Sequence, residues 1–251
     1  MNKRKKINLV LFFPEKETFL TKNFLKNYKF LKDFVDIKVV ISNKKFHQEL
    51  MKKNKKKFDW ISSLNRSQTK IIKKVKKHEK LIGIVFQYPW KISPKIIKYF
   101  YYIYNFHFGK LPGYRGHNTI IHAILNKEKY FYGTIHKINK KFDSGNIYAQ
   151  IKIKIKNYLP RNIEKIVSNA LIKKCIKILK NIYFGKINKI IKISNGKGKF
   201  YSINDIKKLK QINSFSEIPL KIRAFNQPPH EPAYILIKKK KYYLKPNDYR
   251  Y

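Results

Sequence analysis

The sequence predicts an α/β fold, a mostly parallel sheet with crossover helices followed by a small C-terminal β-hairpin. Three observations lead there. Residues 7–13 (INLVLFF) and 81–86 (LIGIVF) are apolar runs without alternation, as expected of strands buried on both faces. Between them, stretches with apolar residues at helical spacing flank a further strand, giving the rhythm strand, helix, strand, helix, strand. Near the end, two short β-rich runs, 234–238 and 241–244, read as a hairpin.

Taken in order, residues 16–30 carry Phe19, Leu20, Phe24, Leu25 and Tyr28 at helical spacing, and 37–42 (IKVVIS) is the second strand. Residues 43–57 are polar and lysine-rich, a solvated loop or helix. Ile71, Ile72 and Val75 mark a helix over 66–79, which leads into the strand 81–86. Gln87-Tyr88-Pro89-Trp90 then falls beyond the carboxyl end of a parallel strand, where such sheets bind ligands. It reads either as one wall of a cleft for a planar ligand or as a turn with two packed aromatics. Ser93 and Pro94 open a short helix over 93–101.

In 103–108 (IYNFHF), alternation puts Tyr104, Phe106 and Phe108 on one face and Asn105 and His107 side by side on the other. A Gly/Pro-punctuated loop, 111–116 (LPGYRG), precedes a helix over 117–125 and a strand over 132–138 (YGTIHKI). The turn Phe142-Asp143-Ser144-Gly145 follows, then a strand over 147–155. A long amphipathic helix runs from 159 to about 182, with Ile163, Ile166, Ala170, Leu171, Cys175 and Ile178 on its apolar stripe. Residues 195–198 (NGKG) mark a break, and the tail beyond is too short for its own core. The expected division is a main domain over 1–195 and a hairpin subdomain over 196–251.

With 251 residues the chain can bury an ordinary core, and no run reaches the ~18–20 apolar residues of a membrane span. The basic start, Met1 to Lys6, and the apolar run 7–13 are followed by Pro14 and Glu15 with no small-residue cleavage site, which reads as a first strand rather than a signal peptide. Cys175 is the sole cysteine, so neither an intramolecular disulfide nor a thiolate metal cluster is expected; the expected compartment is the cytoplasm. The formal charge of +45 invites a polyanion. Nearly all of it is lysine spread along the whole chain, with only Arg4, Arg66, Arg115, Arg161, Arg223 and Arg250 able to grip a phosphate in a fork. Together with heavy Ile, Asn, Tyr and Phe usage, this reads as compositional drift rather than a selected nucleic-acid surface.

Asn105, His107 and Asp143 carry the candidate chemistry. An imidazole can accept and return a proton near neutrality, a carboxylate beside it would orient it, and a carboxamide N–H can donate to a developing oxyanion. These parts suit acyl transfer to an amine. No Ser or Cys nucleophile lies in the stretch, which favours direct transfer. On the residues alone, His107 as a satisfied core histidine and Asp143-Ser144-Gly145 as a plain turn remain open. A metal site built with His117, His122 and His136 matches no common ligand spacing, and no metal is expected.

Asn105-x-His107, the LPGYRG loop, Gly133-Thr134-Ile135-His136 and Phe142-Asp143-Ser144-Gly145-Asn146-Ile147 together resemble the catalytic core of the formyltetrahydrofolate-dependent formyltransferases. That family includes the glycinamide ribonucleotide, methionyl-tRNA and nucleotide-sugar formyltransferases. The resemblance covers about 80–156 and implies a Rossmann-like sheet with 10-formyltetrahydrofolate as formyl donor. It implies that Asn105 polarises the formyl oxygen, His107 transfers the proton and Asp143 orients His107. It also places the pterin against Gln87, Tyr88, Trp90 and Ile92 and the turn at Asp143. Phe108 stands where many relatives have proline, and no glycine-rich turn follows the first strand.

The tail, with Lys221-Ile222-Arg223-Ala224-Phe225 and Pro228-Pro229-His230-Glu231-Pro232-Ala233-Tyr234-Ile235, is similar to that of the sugar N-formyltransferases. By this resemblance the acceptor is the amine of a nucleotide-linked amino-deoxy sugar, dTDP-linked and destined for surface polysaccharide, and the protein is a homodimer. Arg115, His117 and Arg223 are candidates to face the acceptor and its diphosphate, with Phe225 or Tyr234 against the base. Two alternatives stand beside this reading. One is a shortened methionyl-tRNA formyltransferase, the only reading with a nucleic-acid partner in the reaction; the other is a non-catalytic polyanion-binding protein on the same scaffold.

Overall fold

The computed structural model describes residues 4–53, 58–62, 68–139, 141–155, 157–186, 190–191, 198–228 and 230–244. The strands are β1 (Ile7–Phe12), β2 (Val35–Ser42), β3 (Asp59–Ser62), β4 (Leu81–Phe86), β5 (Phe100–Phe108), β6 (Tyr114–Gly116), β7 (Tyr130–Lys137), β8 (Ile147–Lys154), β9 (Lys199–Tyr201), β10 (Tyr234–Ile237) and β11 (Lys240–Tyr243). The helices are α1 (Phe19–Asn27), α2 (Lys44–Lys53), α3 (Gln68–Val75), α4 (Pro94–Ile97), α5 (Thr119–Leu125), α6 (Pro160–Tyr183), α7 (Ile203–Leu209) and α8 (Ile218–Phe225).

A seven-stranded sheet, ordered β3-β2-β1-β4-β5-β7-β8, carries the fold. The pairs β1–β2, β2–β3, β1–β4 and β4–β5 are parallel, so the carboxyl ends of β1, β4 and β5 lie along one edge. The mostly parallel α/β fold and the C-terminal hairpin are therefore as expected. Every residue of β4 is buried, which is why its sequence carries no alternation. Aromatic rings fill one part of the core: Phe86 lies 4.8–5.4 Å, centroid to centroid, from Phe13, Phe24 and Phe106. An aliphatic cluster built on Val10, Val39, Ile41, Ile71, Val75 and Ile103 fills another.

Of the loop or helix expected over 43–57, the described part is a helix, α2, which buries only Phe46 and Leu50; residues 54–57 lie outside the described residues. Several elements differ from expectation. β3 was not anticipated, because four residues on a sheet edge with a half-exposed Trp60 carry too little periodicity. The helix expected over 93–101 ends at Ile97, and the aromatic run from Phe100 joins β5. On α6 the buried stripe is Ile163, Val167, Leu171, Cys175 and Ile178, while Ile166 is exposed. The start of the helix expected over 66–79 and most of the break at 195–198 lie outside the described residues.

Contacts divide the chain into two compact units: Met1–His107, Gly133–Ile151 and Ser168–Ser194 form the first, and Phe108–Tyr132, Lys152–Val167 and Asn195–Tyr251 the second. The tail is thus grouped with two internal segments rather than standing alone from 196. In the second unit, β6 pairs with β9, and β10 and β11 form an antiparallel hairpin. Glu231 ties that hairpin down by accepting from Lys210, Lys241 and the Tyr243 hydroxyl. Those bonds, Tyr243 first, hold its carboxyl down at about 2. Among the described residues no helix is long and apolar enough to cross a membrane.

Candidate active site

Alternation along β5 buries Tyr104, Phe106 and Phe108 and turns Asn105 and His107 the other way. β7 is the neighbour of β5 in the sheet and brings His136 beside Asn105. Asp143 arrives on the turn between β7 and β8, with a left-handed backbone (φ 48°) that a short polar side chain tolerates. Gly145 closes this turn where a Cβ would run into the Lys137 carbonyl. The Lys137 N–H donates to the Asn146 carbonyl at 2.9 Å across the same closure. The glycine is therefore set by the close approach of two backbones.

The four polar side chains converge. Asp143 Oδ2 lies 3.6 Å from His107 Nδ1, and Asp143 Oδ1 lies 3.4 Å from His136 Nε2. The Asn105 amide nitrogen sits 3.1 Å from His136 Nε2 and 3.4 Å from Asp143 Oδ1. His136 Nδ1 is 3.0 Å from the Lys137 carbonyl, which can only accept. Nδ1 therefore carries the proton, and in the neutral ring Nε2 accepts from Asn105. The Asn105 amino group thus bridges the imidazole and the carboxylate. Both histidine side chains and the Asp143 carboxylate are at most a tenth exposed, so these contacts act with little solvent screening.

Asn105, His136 and Asp143 form one side of a small open cavity of about 90 Å³; His107, held against Asp143, is not among its lining residues. Tyr88, Trp90 and Ile92 from the loop after β4 line the other side. Lys91 Nζ stands 5.7 Å over the Phe142 ring, so the loop after β4 and the Asp143 turn face one another. Burial, helped by Glu15, pushes the Tyr88 hydroxyl up to about 12, so it stays protonated as a donor. Gln87 adopts a left-handed backbone (φ 50°) at the end of β4, with its Oε1 buried and, among the described residues, without a hydrogen-bond partner. It turns the chain out of the sheet and is not among the cavity-lining residues. Among the described residues no three His, Cys, Asp or Glu side chains are grouped to hold a metal ion. The Cys175 thiol is buried and pushed up to about 12, so it is an inert core group.

The remaining candidates lie in the second unit. His117 and Phe225 line a cavity of about 440 Å³ there, together with Lys207, Lys210 and His230. Arg115 donates to the Gly198 carbonyl, and Arg223 donates to the carbonyls of Tyr158 and Ile155. Both guanidiniums thus hold loops together. Tyr234 lies in β10 with Lys241 Nζ 4.4 Å above its ring. His136 is the functional candidate that spacing arguments passed over as an acid–base partner. Its signal was a polar residue at a buried position of a strand otherwise rich in apolar side chains.

The sequence matches the family model described as formyl transferase over residues 8–171. Part of the chain, 40%, is 33% identical to the bifunctional polymyxin resistance protein ArnA of Wigglesworthia glossinidia brevipalpis, and the aligned part spans 18% of that protein's length. Among solved structures the fold is similar to a 4-N formyltransferase from Francisella tularensis, with TM-score 0.73 and 19% identity over 97% of this chain and 99% of that one. It is also similar to a sugar N-formyltransferase from a Shewanella species, with TM-score 0.71 and 18% identity over 95% and 96%. A third is WlaRD, a sugar 3N-formyl transferase solved with dTDP and 5-N-formyl-THF, with TM-score 0.68 and 23% identity over 94% and 84%. With the family model covering well over half of the chain, the protein belongs to the formyl transferase family.

Proposed function

We propose that the protein is an N-formyltransferase that moves a formyl group from 10-formyltetrahydrofolate to the amine of a nucleotide-linked amino-deoxy sugar. The observation that carries this reading is the convergence of Asn105, His107 and His136 on the Asp143 carboxylate, with Asn105, His136 and Asp143 at the wall of one cavity. The folate supplies the activated formyl group. Asn105 gives one N–H to His136; the other, 3.4 Å from Asp143, is the one positioned to turn to the formyl oxygen. With Nδ1 of His107 toward the carboxylate, Nε2 is the nitrogen that takes the proton from the incoming amine as the new C–N bond forms and returns it to the folate nitrogen as the old C–N bond breaks; Asp143 supports the imidazolium in between. The 3.6 Å contact is long for a hydrogen bond and is expected to tighten when substrates close the site.

The lining suits a pterin: Tyr88, Trp90 and Ile92 offer flat apolar surface opposite the polar cluster. The cavity is well below the ~300 Å³ at which ligand sites begin, so the ring must part the wall of Trp90, Lys91 and Ile92 from that of Asn139, Lys141 and Phe142. Support for the folate comes from WlaRD, described above, and from HypX of Aquifex aeolicus, a structural neighbour solved with tetrahydrofolic acid. For the nucleotide, the cavity lined by His117 and Phe225 has the size, the cations and the aromatic wall. A homodimer belongs to the same proposal and is checked by light scattering.

Incubation with 10-formyltetrahydrofolate and dTDP-amino-sugars, against charged initiator tRNA, tests the assignment. Formylation of the amino-sugar is expected. Formylation of the tRNA alone would instead establish the methionyl-tRNA reading that the net charge favours. Salt-sensitive RNA binding with no turnover on either acceptor would establish the non-catalytic one.

A further inference from the structure

A cavity of about 520 Å³ in the first unit lies at the amino ends of β1, β4 and β5, the opposite edge of the sheet from Asp143. Tyr101 in this cavity and Asn105 are four residues apart on β5, about 13 Å at strand rise. The two places are therefore separate. The floor is apolar, formed by Ile7 of β1, Ile82 of β4 and Ile182 near the end of α6. Tyr101, a residue 66% exposed, makes one wall. An edge-on contact with Tyr102, at 4.5 Å and 72°, steadies that ring. Lys5 and Lys80 stand at the rim, exposed and with no hydrogen bond or ion pair among the described residues. Lys6 also lines the cavity but donates to the Lys32 carbonyl. Glu79 is the one carboxylate among the lining residues, against three ammonium groups.

Lysine is common everywhere on this chain, so cations alone would not single out a site. What is particular here is the combination of an apolar floor, a steadied and exposed aromatic face, and two uncompensated ammonium groups. We propose that this cavity is a second, non-catalytic binding site for a nucleoside phosphate. The base lies on Tyr101 above the isoleucine floor, and the phosphates lie between Lys5 and Lys80. Stacking supplies ring recognition and the lysines supply charge. The cavity volume is in the range of small-ligand sites.

The probes are dTDP, UDP, ADP and inorganic pyrophosphate, used on the full chain at near-physiological salt. Bound nucleotide should shield Lys5 and Lys80 of the wild-type protein from acetylation, read by peptide mass spectrometry, and pyrophosphate should shield them at least about tenfold less well at equal concentration. Tyr101→Ala should weaken this binding event about tenfold, and Asp143→Asn should leave it unchanged. Two nucleotides per chain are expected if the acceptor is also nucleotide-linked. A single nucleotide that shields Lys5 and Lys80 would remove the acceptor assignment and leave this site standing. Equal protection by pyrophosphate, or unchanged affinity in Tyr101→Ala, overturns the proposal and reduces the cavity to a patch of general cationic surface.

Discussion

The two edges of the central sheet answer the problem of placing charge in opposite ways. At the carboxyl edge one carboxylate, two imidazoles and a carboxamide converge within 3.1–3.6 Å, with the ionisable side chains at most a tenth exposed. At the amino edge, Lys5 and Lys80 are exposed and uncompensated beside a bare tyrosine face. The first is organised before any ligand arrives, as a site that stabilises developing charge must be. The second has charge to offer and nothing to orient it, as suits binding without chemistry. On a chain of net charge +45, a carboxylate ringed by imidazole and amide marks function better than any cluster of lysines.

The comparison breaks first at His107. His107→Ala should lower kcat/KM for formyl transfer by about a thousandfold, the middle of the range for a proton-transfer group. Circular dichroism should not change, and activity within a few fold of wild type would show that the imidazole is only a core residue. A third region supplies a histidine of another kind. His122, on α5 in the second unit, stacks on Tyr201 at 3.9 Å with its Nε2 buried and, among the described residues, without a hydrogen-bond partner, and burial lowers its pKa to about 4. Between the unfolded value of 6.5 and about 4, the unfolded chain binds a proton that the native ring refuses. The His122 contribution to stability should therefore fall as pH drops through that window, by up to about 3 kcal/mol, and should be constant above it. Chemical denaturation at a series of pH values reads this, and His122→Phe should make the acid limb shallower.

Smaller effects sharpen the account of the carboxyl edge. His136 acts through Asn105, so His136→Ala should lower kcat about 10–100-fold with little change in KM. His136→Gln, which keeps an acceptor near Asn105, should recover part of that loss; equal losses in both variants would assign the ring a merely space-filling role. Gly145→Ala drives a methyl into the Lys137 carbonyl and should cost about 1–3 kcal/mol. An unchanged melting temperature would mean that the Asp143 turn is not held as described.

Much of this architecture was legible in the sequence, for physical reasons that also mark where legibility stops. β1 and β4 declare themselves because strands buried on both faces must be continuously apolar. Asn105 and His107 were placed correctly because a period of two leaves no other option along β5. β6 and β9 were missed because each has three residues and its partner is remote in sequence, so nothing local encodes the pairing. Over 43–57 loop and helix both stayed open because two buried residues, Phe46 and Leu50, hardly bias a lysine-rich stretch toward α2. Phe225 and His117 share a cavity through the meeting of segments distant in the chain, which no spacing rule reports. The engagement of Arg115 and Arg223 by backbone carbonyls is equally invisible, because a carbonyl's position depends on the folded loop.

Asp143 is the hinge of the account, since it touches both imidazoles and the carboxamide. The direct measurement is single-turnover transfer of a 13C-labelled formyl group from 10-formyltetrahydrofolate to a dTDP-amino-sugar, followed by NMR, for the wild type and for Asp143→Asn. The account predicts transfer by the wild type and a rate lower by at least about a hundredfold in the variant, with folate still bound. Equal rates in the two proteins would contradict it.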